Sequence, residues 1–260
     1  MIRGLYNAAS GLITSEAKQN VIMNNIANAN TTGYKSENLS IKSFDEVMIS
    51  NKDKNVNGKN YRVNIGTLSN GAEINEKNID FTQGLVKDTE SSLDFALEGK
   101  GFFTVQRTGV NNGGNYYTRD GHFEVNAAGY LVTSNGETVL GRNLATNVLE
   151  PINVGNGEVA CDRLGNIRIN GNMTYNFNIV DFENYDGLKK VGQNLYEGNN
   201  PQLSPRTMVK QNALEGSNVE VIEEMSDMMA VMRNFESDIK VLKTLDETLG
   251  KAVNEIGKVR

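Results

Sequence analysis

Residues 221–260 read VIEEMSDMMAVMRNFESDIKVLKTLDETLGKAVNEIGKVR. In this stretch Val221, Met225, Met228, Met232, Phe235, Ile239, Leu242, Leu249, Val253 and Ile256 hold heptad positions, interrupted only by Asp246. That spacing lays apolar side chains along one stripe of an α-helix. Just upstream, Ser217-Asn218-Val219-Glu220 has the spacing of a capping box, in which serine and glutamate satisfy opposite orphan amides. A helix from there to Arg260 would span about 60 Å. So long a helix with so narrow a stripe cannot be satisfied by a small core. It predicts pairing with another helix, with neighbouring copies, or with both; an ordinary bundle helix within a monomer is the alternative. The methionines at 225, 228, 229 and 232 read as adaptable packing surface, because thioethers fill irregular contacts.

Working back to the other end, Ile2, Leu5, Ala9, Leu12, Met23 and Ile26 form a matching stripe, with Glu16 and Gln19 falling on it. Polar residues at seam positions can specify register or partner, and local exposure would explain them equally well. Residues 24–35, NNIANANTTGYK, make a polar exit from this helix, and Gly33 can adopt the positive φ that ends one. These residues are expected either to contact neighbouring subunits as well as to cap, or to cap alone.

The middle of the chain changes character, with dense Gly and Asn and short runs of alternating aromatic and β-branched residues. Asp120-Gly121, between Tyr116–Arg119 and His122–Val125, and Asn135-Gly136, between Leu131–Thr133 and Thr138–Leu140, suit hairpin turns. Tyr175, Phe177 and Ile179 alternate with asparagines, as in a strand with one buried face. Asn51–Asn60, NKDKNVNGKN, reads as a mobile loop or a segment ordered on assembly. The predicted fold is therefore α+β. Amino- and carboxyl-terminal helices pair as a coiled-coil-like core, with a central, mainly antiparallel β domain. The expected divisions are 1–35 for the first helix and its exit, 36–80 for an extended linker, 81–213 for the β domain and 214–260 for the long helix.

Composition narrows the chemistry. A formal net charge of −6 and a pI near 5.1 give no basic footprint for nucleic acid or a membrane surface. The single cysteine, Cys161, excludes an internal disulfide or a multi-thiolate metal site and reads as a core residue; the single histidine, His122, excludes imidazole pairs. Gly99-Lys100-Gly101 and Gly155-Asn156-Gly157 do not extend into nucleotide-binding fingerprints, and there is no Gly-x-Ser-x-Gly elbow or EF-hand spacing. A carboxylate pair assembled from distant positions stays open. Neither a cleavable signal nor a membrane-spanning run is visible, so composition alone would place the chain in the cytoplasm.

Residues 24–35, following a helix that contains Ala8-Ala9-Ser10-Gly11-Leu12, resemble the flagellar rod and hook protein family. The likeness continues through LDFALEGKGFFTV (93–105), YTRDGHF (117–123), GYLVTSNGETVLG (129–141) and Asn194-Leu195-Tyr196, and ends in LEGSNVEVIEEMSDMM (214–229). The matches fall in family order and leave chiefly 50–65 and 142–190 uncovered. Total length favours the short rod members, FlgF- or FlgG-like, over the hook protein. Arg233-Asn234-Phe235-Glu236 and the end of the helix look closer to the FlgF type.

What the resemblance implies is a structural subunit of the flagellar basal body. It would be exported by the flagellar type III apparatus without a cleaved signal and polymerised into the axial rod, the terminal helices forming the inner layer of the tube. Its partners would be copies of itself, neighbouring rod or hook proteins and the export apparatus, with no nucleic acid, small-molecule substrate, cofactor, metal or catalytic residue. The assembly interface expected is Leu5, Leu12, Met23, Ile26, Asn28, Gly33 and Tyr34 on the first helix and its exit. On the long helix it is Met225, Met232, Phe235, Ile239, Leu242, Leu249 and Ile256. A hook or junction subunit is the alternative within the family. A rod-associated hydrolase and a soluble coiled-coil adaptor lie outside it.

Overall fold

The computed structural model describes residues 2–56, 59–107, 114–204 and 207–256. The chain divides into two compact units, the first made of 1–26, 37–78 and 221–260, the second of 27–36 and 79–220. In the first unit, helix α1 covers Ile2–Ala27, strands β1 (Glu37–Ser43) and β4 (Ala72–Ile79) form a two-stranded sheet, and β2 (Val47–Val56) and β3 (Lys59–Leu68) form an antiparallel hairpin. Helix α2, Val221–Lys251, follows, and a π-helical turn, Ala252–Ile256, extends it. At 1.5 Å per residue α2 is about 46 Å long. No described helix is long and apolar enough to cross a membrane.

Among the described residues the two helices approach each other at Gly4, Gly11, Lys18 and Asn25, in opposite order along each. A Cβ on Gly4 would lie 3.5 Å from Leu245, and one on Gly11 would lie 2.7 Å from the Asp238 carboxylate. Lys18 approaches Asp227 at 3.9 Å, and Asn25 donates to Glu224 at 2.8 Å. The α1 contacts are spaced by seven residues, so each falls on the same face. Two of them are glycines, which let the backbones come close.

This close approach shifts the seam of α2. The covered stripe is Glu224, Met228, Val231, Phe235, Asp238, Ile239, Leu242, Leu245 and Leu249, with Val231 alone fully buried. Of the expected heptad, Met228, Phe235, Ile239, Leu242 and Leu249 lie on it, while elsewhere the seam moves by one residue, so Glu224 replaces Met225, Val231 replaces Met232 and Leu245 replaces Asp246. The expected capping box does not form. Ser217 Oγ accepts from the Val219 amide in a local turn, and the helix starts four residues later, at Val221. The segment 51–60, read as a loop, is strand to Val56 and again from Lys59; residues 57 and 58 lie outside the described set. Its polar sequence conceals a two-stranded ribbon whose apolar residues, such as Val47, Met48 and Ile65, stay exposed.

The second unit is a β domain in which every described ladder is antiparallel. Its thirteen-stranded sheet is joined by two strand pairs, Phe95–Glu98 with Met208–Gln211 and Val86–Asp88 with Ala213–Glu215. Phe95, Phe103, Phe123 and Phe177 pack edge-on or tilted at the centre of the larger core. Tyr175, Phe177 and Ile179 are buried, as their alternation requires. Strands Leu131–Thr133 and Thr138–Asn143 pair around Gly136, whose φ is 91°. Asp120-Gly121, in contrast, is no hairpin. The strand before it pairs with Phe102–Gln106 and Leu195–Glu197, and the strand after it with Leu131–Thr133. Gly121 is instead required because Phe95 donates its amide to the Gly121 carbonyl, and a Cβ there would strike the Phe95 carbonyl.

Candidate assembly site

The motif NNIANANTTGYK supplies polar anchors to both units. Asn25, buried in the first, uses its side-chain amide as a strand would use its backbone. Its Oδ1 accepts from the Glu37 amide at 3.0 Å, while Nδ2 donates to the Glu37 carbonyl at 2.9 Å and to Glu224 at 2.8 Å. Burial pushes the Glu224 carboxyl above its ordinary range, against the bond from Asn25. The helix ends at Ala27, six residues before Gly33, so this glycine is not its cap.

Gly33 belongs to a joint within the second unit. Its φ is 65°, its amide donates to the Glu215 carbonyl at 2.8 Å, and a Cβ would sit 2.6 Å from the Arg119 carbonyl carbon. On either side of it, Thr32 donates to Asp120 at 2.7 Å, and Lys190 lies over the Tyr34 ring at 4.0 Å. Burial raises the Asp120 carboxyl above its ordinary range, and the Thr32 bond opposes the shift. Lys35 is fully buried. Its ammonium donates to Glu215 at 2.5 Å and to the Thr82 carbonyl at 2.7 Å. The same carboxylate accepts from Arg119 at 3.1 Å and from the Gly84 amide at 3.0 Å. Asn218 completes the joint, accepting from the Ser36 amide and donating to the Asp80 carbonyl. One glutamate thus gathers four chain segments. Burial holds the Lys35 ammonium below the usual lysine range even with Glu215 beside it.

The remaining titratable residues that the sequence singled out have structural partners. His122 Nδ1 lies 2.7 Å from Asp94 Oδ1, and Cys161 packs against the larger core, where burial pushes its thiol up to about 12. Among the described residues no group of three His, Cys, Asp or Glu could hold a metal.

The expected interface residues are dispersed. Leu5, Leu12 and Ile26 are half-buried on α1 and Met23 is exposed; Asn28 is half-buried, while Gly33 and Tyr34 lie inside the joint. On α2, Phe235, Ile239, Leu242 and Leu249 are half-buried, Met225 and Met232 are exposed, and the side chain of Ile256 lies outside the described set. The first half of α2 therefore carries a second apolar stripe, Ile222, Met225, Met229 and Met232, about a third of a turn from the covered one and open to solvent. The heptad reading merged the two stripes. A second open feature lies on α1, where Arg3, Tyr6, Ser10 and Ile13, with Phe44 and Asn70, line a groove of about 510 Å³.

In the chain, two long helices lie on either side of a β domain, and apolar side chains of both helices face solvent. Comparison with known proteins gives the class. Residues 5–35 match the family described as flagella basal body rod protein, residues 96–180 the flagellar hook protein FlgE/F/G D1 domain, and residues 210–255 the flagellar basal body rod FlgEFG protein C-terminal region. Among curated relatives, the flagellar basal-body rod protein FlgG of Bacillus subtilis is 33% identical over 98% of this chain and 99% of its own length. FlgF of Caulobacter vibrioides is 32% identical over the whole of both chains, and the flagellar hook-basal body complex protein FlhO of Bacillus subtilis is 30% identical over the whole of both. The chain belongs to the flagellar basal-body rod protein family, and is of the FlgF/FlgG type. Its place is the flagellar basal body.

Proposed function

We propose that this protein is a non-catalytic structural subunit of the rod, exported by the flagellar type III apparatus and polymerised through its terminal helices into the axial drive shaft. In this reading α1 and α2 pair as a coiled-coil-like inner layer, and further copies cover what the pair leaves open. The observation that carries it is the second stripe of α2, since four large apolar side chains in a row on a helix already packed on another face mark a surface meant for a partner. Burying each would contribute about 1.5–3 kcal/mol. The partners are copies of this chain and neighbouring rod or hook subunits.

The test is a chain carrying Met225→Asp and Met232→Asp together. Both residues are solvent-facing, so the monomer should fold and melt as the parent does, while rods fail to form and motility is lost. A tagged parent chain should be recovered in purified hook-basal bodies. Normal motility in the double variant, or a basal body without the tagged chain, would overturn the proposal.

A further inference from the structure

We infer that the exposed stripe of α2 in one copy seats in the α1 groove of the next copy, in a staggered head-to-tail contact that keeps successive copies pointing the same way. This inference rests on the rod-subunit reading and names the contact through which copies would join.

The two surfaces match in length, spacing and charge. On α1, Arg3, Tyr6, Ser10 and Ile13 follow one another at steps of three, four and three along the groove. On α2, Glu236, Met232, Met229 and Met225 ascend the stripe at steps of four, three and four, with Ile222 beyond them. Each run covers about 15 Å of helix. Each carries a single charge at one end, and the charges are opposite: exposed Arg3 closes the groove, which is lined on α1 by Tyr6 and Ile13 with one polar residue, Ser10, whose hydroxyl accepts from the Ala72 amide, and exposed Glu236 closes the stripe. The wider fields agree. Arg3 is the only charged residue among the first fifteen, whereas residues 221–236 carry Glu223, Glu224, Asp227 and Glu236 against Arg233, a net −3. Laid antiparallel, Arg3 meets Glu236, Tyr6 meets Met232, Ser10 meets Met229 and Ile13 meets Met225.

These surfaces cannot meet within one chain. There, Gly4 faces Leu245 and Gly11 faces Asp238, so Tyr6 stands about 16 Å along the helix pair from Met232. The incoming α1 lies ten residues nearer the start of α2, an axial offset of about 15 Å. Both α1 helices run antiparallel to the same α2, and hence parallel to each other. A contact between two different patches, repeated with such an offset, does not close on itself and generates a filament.

Cross-linking tests the pairing in full-length chains with Cys161→Ser as background. One chain carries Tyr6→Cys and another Met232→Cys; mixed under assembling conditions and oxidised, they should shift to a covalent dimer. Neither should do so alone, since a disulfide needs Cα atoms within about 7 Å. A chain with both cysteines should give a ladder of multimers and no internally closed monomer. Tyr6→Cys mixed with Leu149→Cys, an exposed position in the other unit, serves as the control. Independently of cysteine chemistry, Arg3→Glu and Glu236→Arg should each lose assembly, and the chain carrying both should regain it. Polymer without cross-linking above the control, or no recovery in the double charge reversal, overturns this contact and leaves the rod reading standing. Failure of the parent chain to polymerise at all would overturn both.

Discussion

Glu215→Gln is nearly isosteric and removes one charge from the joint of the β domain. The carboxylate accepts from the ammonium of Lys35 at 2.5 Å, from Arg119 at 3.1 Å and from the Gly84 amide at 3.0 Å, and all three charged side chains are buried. The glutamine leaves two cations facing each other with no anion between them. Breaking a buried pair in this way costs about 3–5 kcal/mol. Lys35→Met should cost less, because Glu215 keeps Arg119 and the Gly84 amide, and the Thr82 carbonyl loses its closer donor while keeping Asn218 at 3.4 Å, a loss of about 1–3 kcal/mol. In a domain of 150–250 residues these figures correspond to falls in Tm of about 6–20 °C and about 2–12 °C. Near-UV circular dichroism of the full chain is a suitable probe, since there is no tryptophan and most of the nine tyrosines lie in the β domain. The pH dependence adds a second readout. Because the folded ammonium holds its proton less tightly than the unfolded one, the unfolded chain binds more protons as lysine begins to titrate. Stability should therefore rise with pH through the alkaline range up to lysine's ordinary 10.5, and that rise should vanish in Lys35→Met. A Glu215→Gln chain within about 1 kcal/mol of the parent, or one more stable than Lys35→Met, would refute the assignment of Glu215 as the keystone.

Gly33→Ala combines a left-handed backbone with a Cβ pressed into the 119–120 peptide; it should destabilise the β domain by at least about 2 kcal/mol, read as an equivalent shift in urea midpoint. Asn25→Ala removes the three bonds that hold Glu37 and Glu224, and should cost about 2–4 kcal/mol while speeding amide exchange at Glu37. With its thiol pushed from 9.0 to about 12, Cys161 should react with iodoacetamide near pH 8 about a thousandfold more slowly in the native chain than in the unfolded one. Equal rates would show the thiol to be accessible and ordinary.

The helices were legible in the sequence because apolar periodicity survives whatever the helix packs against. Their phase was not. Methionine at 225 and 232 is apolar enough to pass for a seam, and only the approach of Gly4 and Gly11 turns α2 so that Val231 and Leu245 face inward. Local turn signals succeeded where the flanking strands pair with each other, as at Asn135-Gly136. They failed at Asp120-Gly121, whose neighbours find partners elsewhere in the sheet. The hairpin 47–68 was concealed because its described apolar residues Val47, Met48, Val63, Ile65 and Leu68 are exposed, and an exposed ribbon needs no buried alternation. Of the candidate site, the motif 24–35 was recognised through its resemblance to a family. The role of Lys35 was invisible, since its anion lies 180 residues away.

That separation bears on when the protein can fold. Closing a flexible loop of this length costs about 4–5 kcal/mol of chain entropy, so the link between Lys35 and Glu215 forms late, after the intervening strands have shortened the effective loop. Until then two cations face burial without their counter-charge, and the strand pair Val86–Asp88 with Ala213–Glu215 has only one member. A chain that lacks its last fifth lacks Glu215 and leaves Lys35 and Arg119 without their shared counter-charge. Completion of the β domain therefore waits on residues from the last fifth of the chain.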